Sequence, residues 1–253
     1  MINKIMVNKE NIVVIIGKNP VLEALKSGKE IEKIMIVKDR GHVNLSEILK
    51  IAADKGIVKQ YVPSSKLREV AKTDKNQGIA AIVSEYKYYT IEEIINSARE
   101  KGKAPFIMIL DNLTDPHNFG AIIRTAELNG VDGIIIPKRN SVTINETVSK
   151  TAAGAIEYVK VAKVTNLNVA IEELKKHNIW IYGLDMEGST IYETDLKGAI
   201  AIIVGSEGDG MRKSVRENCD FIISIPMYGK INSLNASVAS GIAMYEASRQ
   251  RNI

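Results

Sequence analysis

Six short apolar runs in the second half of the chain constrain its fold more than any other feature. Segments with helical periodicity lie between these runs. Continuous apolar strands that alternate with helices are typical of a parallel sheet covered on both faces, because a strand with one solvated face would alternate in polarity. The predicted strands are FIMILD, DGIIIP, EYVKVA, IWIYGLD, AIAIIVG and DFIISIP. The predicted helices are NFGAIIRTAELNG, NETVSKTAAGA, NLNVAIEELKKH, MRKSVREN and the second half of IPMYGKINSLNASVASGIAMYE.

The first half of the chain also alternates between strand and helix patterns, and it predicts a compact α/β sandwich. Asn19 and Pro20 are typical of a helix start, as the N-cap and the first helical residue. Thr90 is expected to cap a short helix, and the sequence EKGKAP after that helix is typical of a linker. We therefore predict a first domain over residues 1–88, a linker over residues 89–103 and a second domain over residues 104–253.

Charge is distributed unevenly along the chain. Residues 1–103 contain 19 basic and 13 acidic side chains, whereas the remaining residues contain 15 and 17. A basic first half would suit contact with a polyanion such as a nucleic acid. A lysine-rich solvated surface explains the same numbers, so charge alone leaves both interpretations open.

Composition disfavours several classes of protein and site. Cys219 is the only cysteine, so an internal disulfide is excluded and a reducing cytoplasm is the expected location. The three histidines (His42, His117 and His177) are scattered without ligand spacing, so we expect no bound metal. No apolar run is long enough to cross a bilayer, and the N-terminal sequence lacks the features of a signal peptide. We therefore expect no contact with a membrane.

The loop GSEGDGM, residues 205–211, follows the fifth predicted strand. Its glycines suggest a dinucleotide-binding fingerprint, but their spacing differs from that motif and Glu207 would repel a pyrophosphate. We therefore disfavour an NAD-type oxidoreductase. In open α/β sheets, ligands bind beyond the carboxyl ends of strands. Glu207 could accept hydrogen bonds there from an amine, a hydroxyl or backbone N–H groups.

Polar residues also follow two other predicted strands. In DNLTDPHNFGAIIRTAE, Asn118 lies where a helix should start, and Arg124 lies almost two turns further on. Taken alone, each could be a helix cap or a solvated surface residue. In IPMYGKINSLNAS, Ser233 or Asn232 can cap the last helix, which leaves Asn235 in its first turn beside unpaired N–H groups. A polar ligand could bind those groups.

These three segments together resemble the SpoU (TrmH-like) branch of the SPOUT methyltransferase superfamily. The matching sequences are LDNLTDPHNFGAIIRTAELNGVDGIII, IIVGSEGDGM and IPMYGKINSLNASVASGIAMYE, in the order and at the spacing of the family. The first half resembles the family's L30e-like substrate-binding domain through IIGKNPVLEAL and NQGIAAIV. The resemblance implies an α/β fold, with an N-terminal L30e-like sandwich domain and a C-terminal SPOUT parallel-sheet domain that contains a trefoil knot.

The resemblance also implies an enzyme that transfers a methyl group from S-adenosylmethionine to a ribose 2′-oxygen of structured RNA. A homodimer packed through the knotted region is expected. The residues expected to carry the chemistry are Asn118, Arg124, Glu207 and Asn235. The residues expected to line the cofactor pocket are Leu184, Gly205, Ile225, Met227 and Leu234. The first domain has Asn76 where the family usually has His, so no proton transfer is expected there.

The choice of RNA and the role of each residue are open. The first domain and the chain length are most similar to the 23S rRNA guanosine 2′-O-methyltransferases, with Lys18 and Arg40 as candidates for RNA contact. A tRNA guanosine enzyme, an rRNA adenosine enzyme and a non-enzymatic L30e-like RNA-binding protein are alternatives. Because a guanidinium keeps its proton far above neutral pH, we expect Arg124 to grip a phosphate rather than to act as a base. Cys219 is expected to be structural, which disfavours methylation at a pyrimidine carbon.

Overall fold

A computed structural model describes residues 5–7, 13–27, 29, 31–38, 44–83, 86–230 and 233–252. The chain divides into two compact units, residues 1–87 and 88–253. Helices and strands occur in both units, which fits an α/β protein. In the described ranges, no helix is long and apolar enough to cross a membrane.

The first unit is a mixed sheet with helices on both faces. Its described elements are β1 (Ile5–Val7), β2 (Val13–Ile16), α1 (Lys18–Lys26), β3 (Ile31–Val37), α2 (Ser46–Asp54), β4 (Val58–Val62), α3 (Ser64–Ala71) and β5 (Ile79–Val83). The strand order is β1-β2-β5-β3-β4. Only the β3–β4 pair is parallel among these described strands. The predicted α/β sandwich is confirmed.

Alternating side chains of β3 fill two separate cores in the first unit. Ile34 and Ile36 pack with residues of α1 and α2, whereas Met35 packs with residues of α3 on the other face. This division follows from the two-residue period of a strand, which sends successive side chains to opposite faces. The sequence IEKIMIV therefore supplies apolar contacts to both helical layers.

The predicted start of α1 was wrong. The helix begins at Lys18 with Gly17 as its N-cap, so Asn19 is not the cap and Pro20 is the third helical residue. Gly17 has a φ of +94°, which favours glycine, and Gln77 Oε1 accepts the Lys18 N–H at 2.8 Å. Pro20 is tolerated in the first turn because the N–H it lacks would have no partner within the helix.

The second unit is built around a sheet of parallel strands. Its described strands are β6 (Phe106–Leu110), β7 (Gly133–Pro137), β8 (Lys160–Val164), β9 (Trp180–Thr190), β10 (Ile200–Val204) and β11 (Phe221–Ser224). Its described α-helices are α4 (Ile91–Glu100), α5 (Pro116–Leu128), α6 (Glu146–Ala152), α7 (Leu167–Lys176), α8 (Lys213–Arg216) and α9 (Ala236–Arg251). Short 3₁₀ helices occupy Ala155–Glu157 and Ile191–Glu193.

The strand order of this sheet is β11-β9-β10-β6-β7-β8, and every described pair is parallel. Ile107 and Ile109 of β6 pack on the face covered by α4, α7 and α8. Phe106 and Met108 point to the opposite face and are also fully buried. The predicted parallel sheet with both faces covered is confirmed, and the trefoil knot stays a prediction.

Residues 89–103, which the sequence analysis assigned to a linker, contribute α4 to the second unit. Thr90 caps this helix as predicted, since its side chain accepts the Glu93 N–H while the Glu93 carboxylate accepts the Thr90 N–H. Ile91, Ile94 and Ile95 are buried in the core of the second unit. The amphipathic period of this segment therefore outweighs the linker-like composition of the residues that follow it.

Candidate active site

Two of the three polar segments follow neighbouring strands of the parallel sheet. The loop after β6 leads into α5, and the loop after β10 contains Glu207. From β6 the chain proceeds to β7 and β8 on one side, and it then returns to place β10 on the other side. This is a topological switch point, where the loops of adjacent strands diverge and leave a crevice.

The side chains of Asn118, Glu207 and Asn235 form one hydrogen-bonded cluster in this region. Glu207 Oε1 accepts from Asn118 Nδ2 at 2.7 Å and from Asn235 Nδ2 at 2.5 Å. Asn235 Nδ2 also donates to Asn118 Oδ1 at 3.1 Å, and the Ala236 N–H donates to Glu207 Oε1 at 3.3 Å. Three of the four predicted catalytic residues are thus brought together from segments far apart in sequence.

The start of α5 fixes the position of Asn118. Asp115 is the N-cap, and its carboxylate accepts the N–H groups of His117 at 3.2 Å and Asn118 at 3.1 Å. Pro116 occupies the first helical position. The expected helix start at Asn118 was therefore two residues late. The Asp-Pro pair was the sequence signal that would have located it.

The start of α9 fixes the position of Asn235. Its Oδ1 accepts the Ser237 N–H at 3.0 Å, the Ser237 hydroxyl at 2.6 Å and the Val238 N–H at 3.3 Å. Asn235 is therefore the N-cap, and the expected cap at Ser233 was wrong. The alternative cap, Asn232, lies outside the described residues. Because an amide has both acceptor and donor groups, Asn235 caps the helix and binds Glu207 at the same time.

An ion pair that the sequence analysis missed connects the loops after β6 and β10. Asp111 is fully buried, and its carboxylate accepts Arg212 Nε at 2.8 Å and the Arg212 N–H at 2.9 Å. Charge-assisted bonds of this kind are strong and directional. Asp111 begins the segment that carries Asn118, and Arg212 directly follows the segment that carries Glu207. The sequence signal was weak, because only the strand order brings these residues together.

An open cavity of about 320 Å³ lies beside the cluster. All five residues predicted to bind the cofactor contribute to its wall: Leu184, Gly205, Ile225, Met227 and Leu234. Asp185, Glu207 and Asp209 also line it, and there is no Lys, Arg or His among its described lining residues. An apolar wall with a surplus of carboxylates suits a ligand that combines a flat heterocycle with a positive charge, and it disfavours a pyrophosphate.

Arg124 stands apart from this cluster. It lies on α5 with an exposed side chain, and within the described residues it has no hydrogen-bond or ion-pair partner. The cluster of Asn118, Glu207 and Asn235 is held together without its guanidinium. Arg124 is therefore available to bind a group from outside the chain.

Cys219 has the environment of a structural thiol. Burial, and to a lesser extent the nearby charge of Asp220, raises the pKa of Cys219 to about 11. Its Sγ lies 3.4 Å from the Val215 carbonyl oxygen, and its side chain packs against the core of the sheet. A thiol that stays protonated at neutral pH is a poor nucleophile.

The histidines of the chain are not gathered into a site where the structure describes them. His117 is exposed in the first turn of α5, and His177 Nδ1 lies 3.5 Å from the Arg99 guanidinium. His42 lies outside the described residues. In the described parts of the chain, no three His, Cys, Asp or Glu side chains approach one another as metal ligands would.

Comparison with known proteins identifies the family to which this architecture belongs. The profile of the SpoU rRNA methylase family matches residues 105–245, and a profile for RNA 2′-O ribose methyltransferase substrate binding matches residues 14–89. The chain belongs to the SpoU family. The predicted family, an RNA methyltransferase activity and S-adenosylmethionine as methyl donor are thereby confirmed.

Two bacterial relatives align with this SpoU family protein over almost its whole length. A TrmH family tRNA/rRNA methyltransferase of Bacillus subtilis is 44% identical over 239 residues, which cover 94% of this chain and 96% of the relative. A TrmH family tRNA/rRNA methyltransferase of Staphylococcus aureus is 46% identical over 241 residues, which cover 94% of this chain and 96% of the relative. These identities exceed what a shared fold alone would require.

Solved structures share the fold at lower identity. The SpoU methyltransferase AviRb of Streptomyces viridochromogenes, solved with AdoMet, has a TM-score of 0.60 and 20% identity, covering 96% of this chain and 94% of its own. An rRNA methyltransferase of Sinorhizobium meliloti has a TM-score of 0.57 and 22% identity, covering 95% and 88%. A structure described for the 2′-OH methylation of C/U34 on tRNA has a TM-score of 0.53 and 23% identity, covering 58% and 96%.

Proposed function

We propose that this SpoU methyltransferase acts on the ribose 2′-oxygen of a guanosine in large-subunit (23S) rRNA. The observation that carries the proposal is the hydrogen-bonded cluster of Asn118, Glu207 and Asn235 beside a cavity walled by carboxylates and apolar side chains. We further propose that the enzyme works in the cytoplasm, in line with its single cysteine.

The likeness to other structures supports rRNA over tRNA. The structure described for tRNA methylation covers only 58% of this chain, whereas the Sinorhizobium rRNA methyltransferase covers 95% of it. Coverage of 95% includes most of the first unit, where the substrate-binding profile matches residues 14–89. A tRNA guanosine substrate is the alternative, because the description of the Bacillus relative names both tRNA and rRNA.

The cavity residues fit S-adenosylmethionine. Leu184, Ile225, Met227 and Leu234 would hold its adenine and ribose, and the absence of a side chain at Gly205 lets the loop that lines the cavity fold back on itself. The carboxylates of the wall would face its cationic end. The cofactor supplies a methyl group that its sulfonium already activates. The contribution of the protein is alignment, which can lower the barrier by roughly 7 kcal/mol or more.

The polar cluster would position the ribose beside the methyl donor. Glu207 is held by three donors and so stays fixed while a substrate binds. Asn235 ties that carboxylate to the start of α9, and Asn118 would bind the ribose or hold Arg124. None of these groups needs to form a covalent bond to RNA, which agrees with the protonated thiol of Cys219.

Arg124 would bind the phosphate next to the target ribose. A guanidinium retains its proton at any pH at which RNA is stable, so it is unsuited to remove the hydroxyl proton. Its planar fork matches two phosphate oxygens, and its positive charge would stabilise the developing alkoxide. The exposed position of Arg124 and its lack of a partner among the described residues support this role.

The first unit would bind RNA at one end of its sheet, where β2 and β3 finish and β5 begins. The Lys18 N–H donates to Gln77 Oε1, and the Val37 N–H donates to the Gly78 carbonyl, so the ends of β2 and β3 meet the loop before β5. Basic residues in these segments are Lys18, Lys38, Lys72 and Lys75. Cations in these segments would suit contact with a phosphate backbone. Arg40, the other predicted contact, lies outside the described residues.

A homodimer would use the exposed face of α9. Val238, Ile242 and Tyr245 follow one another at helical spacing, and their exposed fractions are 49%, 39% and 67%. A stripe of apolar side chains left in water is typical of a surface that binds another chain. The small residues of the same helix would allow the two backbones to come close.

The proposal is tested by offering the enzyme labelled S-adenosylmethionine with unmodified large-subunit rRNA and, separately, with unmodified bulk tRNA. We expect label in a guanosine of the rRNA. Label in tRNA alone would overturn the rRNA substrate and favour the alternative. No label in either RNA, with cofactor binding demonstrated by calorimetry, would contradict the proposed substrate class.

A further inference from the structure

A second cavity, of about 410 Å³, lies at the opposite end of the parallel sheet from the candidate active site. It is bordered by the segments that precede β6 and β10 and by the end of α9. A five-residue strand is roughly 16 Å long, so at least that distance separates the two cavities. The charged residues of its wall are Lys103, Asp132, Lys197 and Arg251.

The only carboxylate among these described wall residues is already engaged. Asp132 is 7% exposed, and its Oδ2 accepts the Phe106 N–H at 3.0 Å. Its Oδ1 lies 3.5 Å from the Nζ of Lys101. Asp132 therefore binds a backbone donor and a fourth cation, and its charge, which also acts on Arg251, offsets only part of the positive charge of the cavity.

Arg251 is a half-buried cation without a carboxylate partner among the described residues. Its two terminal nitrogens donate to the carbonyl oxygens of Gly198 and Ala104, and its guanidinium lies 5.2 Å from the centre of the Phe106 ring. Burial lowers the pKa of Arg251, which reflects the cost of keeping this charge out of water. Carbonyl groups and a ring reduce that cost, but they bring no negative charge.

Two lysines add to this surplus of positive charge. Lys103 and Lys197 are exposed at the mouth of the cavity, and neither forms an ion pair within the described part of the chain. Three cations therefore converge on one concave site, opposed by a single carboxylate that is already bound. An anion is the ligand that such a site lacks.

We propose that this cavity binds a phosphate group of the RNA substrate, as a contact separate from the methyl-transfer site. The inference rests on the proposed function, because RNA is the polyanion that an RNA methyltransferase meets. Lys103 and Lys197 would neutralise a phosphodiester from the mouth of the cavity, while Arg251 supplies charge from its wall. Such a contact fixes the register of an RNA without reading its sequence.

The test compares two double variants with the same change in charge. Lys103→Gln with Lys197→Gln removes the two cations at the mouth of the cavity. Lys176→Gln with Lys213→Gln removes two exposed cations from α7 and α8 and serves as the control. Affinity for an unmodified large-subunit rRNA fragment is measured from 50 to 300 mM salt, and cofactor affinity is measured by calorimetry.

We expect the cavity variant to lower the slope of log affinity against log salt by roughly 0.7 to 0.9 for the phosphate contact it loses. Cofactor affinity should be unchanged, and the control should keep the wild-type slope. Equal slopes for the two double variants would overturn the inference. A companion titration with inorganic phosphate tests whether the cavity binds free phosphate instead of a phosphate group of RNA. If the cavity variant loses phosphate binding but keeps the wild-type salt slope for RNA, the proposed RNA contact is also overturned.

These outcomes are separable from failure of the proposed function. If the wild-type enzyme methylates rRNA and the cavity variant keeps its salt slope, only the second contact is wrong. If the wild-type enzyme neither binds nor methylates rRNA, the proposed substrate itself is wrong. Because Lys103 and Lys197 are both exposed, we expect the cavity variant to fold normally. Thermal unfolding of both double variants checks this.

Discussion

Gly205 lies against the backbone of Gly210 at the end of β10. A Cβ atom built on Gly205 would lie 2.1 Å from the Gly210 carbonyl carbon and 2.3 Å from the Met211 nitrogen. The tight loop is closed by two backbone hydrogen bonds between Ser206 and Gly210, each 3.1 Å long. Because this loop carries Glu207 and lines the cofactor cavity, its shape depends on the lack of a side chain at Gly205.

Gly205→Ala should therefore abolish measurable cofactor binding. The added methyl group clashes with backbone rather than with a flexible side chain, so the loop must move and displace Glu207. Calorimetric titration with S-adenosylmethionine measures the loss, and we expect at least a hundredfold weaker binding. Gly229→Ala is the control, because a Cβ there would meet no atom within 4 Å and Gly229 is not among the residues that line the cavity. Equal affinity of the two variants for S-adenosylmethionine would contradict the dependence of the loop's shape on Gly205.

Asn235→Asp should lower kcat far more than Asn235→Ser. Both replacements can cap α9, but Asp places a second carboxylate beside Glu207 and removes the amide donor. We expect a loss of about a hundredfold or more for Asp at pH 8. Equal kcat for the two variants at pH 8 would rule out repulsion between the two carboxylates as the cause.

Arg124→Lys should reduce kcat by at least tenfold while cofactor affinity stays the same. Lysine keeps the charge but loses the planar pair of donors that would bind two phosphate oxygens. Single-turnover methyl transfer, with RNA and cofactor both saturating, measures the effect on the chemical step. Arg124→Ala should be slower still. If the Lys variant kept near-native kcat, bidentate geometry would be irrelevant and the phosphate role would have to be dropped.

The Cys219 thiol should be slow to alkylate in the folded enzyme. Its pKa of about 11, against a usual value of 9.0, leaves about a hundredfold less thiolate at pH 8. Iodoacetamide labelling followed by mass spectrometry should thus be at least a hundredfold slower for the native than for the urea-unfolded protein. Cys219→Ser should retain methyl transfer. Rapid labelling of the native protein, or loss of transfer in the Ser variant with the fold intact, would disprove the structural role.

Local patterns predicted most of the elements that surround the site. Continuous apolar runs located all six described strands of the parallel sheet, and the capping box at Thr90 located the start of α4. These signals are local, since a run of four to seven apolar residues or a Ser/Thr with Glu three residues later needs no distant partner. Strands β1 and β2 were not predicted, because their apolar residues form short runs that were assigned to no strand.

The parts that sequence could not predict depend on distant contacts. Gln77 fixes the start of α1 from 59 residues away, so the local Asn-Pro signal was misleading. The bond between Asn118 and Glu207 spans 89 residues and exists because β6 and β10 are neighbours. Asp111 and Arg212 pair for the same reason. The family resemblance supplied the list of site residues, whereas their hydrogen bonds followed only from the strand order.

Locating the transferred methyl group on the RNA shows whether the enzyme methylates ribose or base. RNA methylated with labelled S-adenosylmethionine would be hydrolysed with alkali, and the labelled product would be identified by mass spectrometry. We expect label in an alkali-resistant dinucleotide, because a methyl group on the ribose 2′-oxygen blocks cleavage of the adjacent phosphodiester. Label on a base, in a mononucleotide released by alkali, would contradict a site that positions ribose between Asn118, Glu207 and the cofactor cavity.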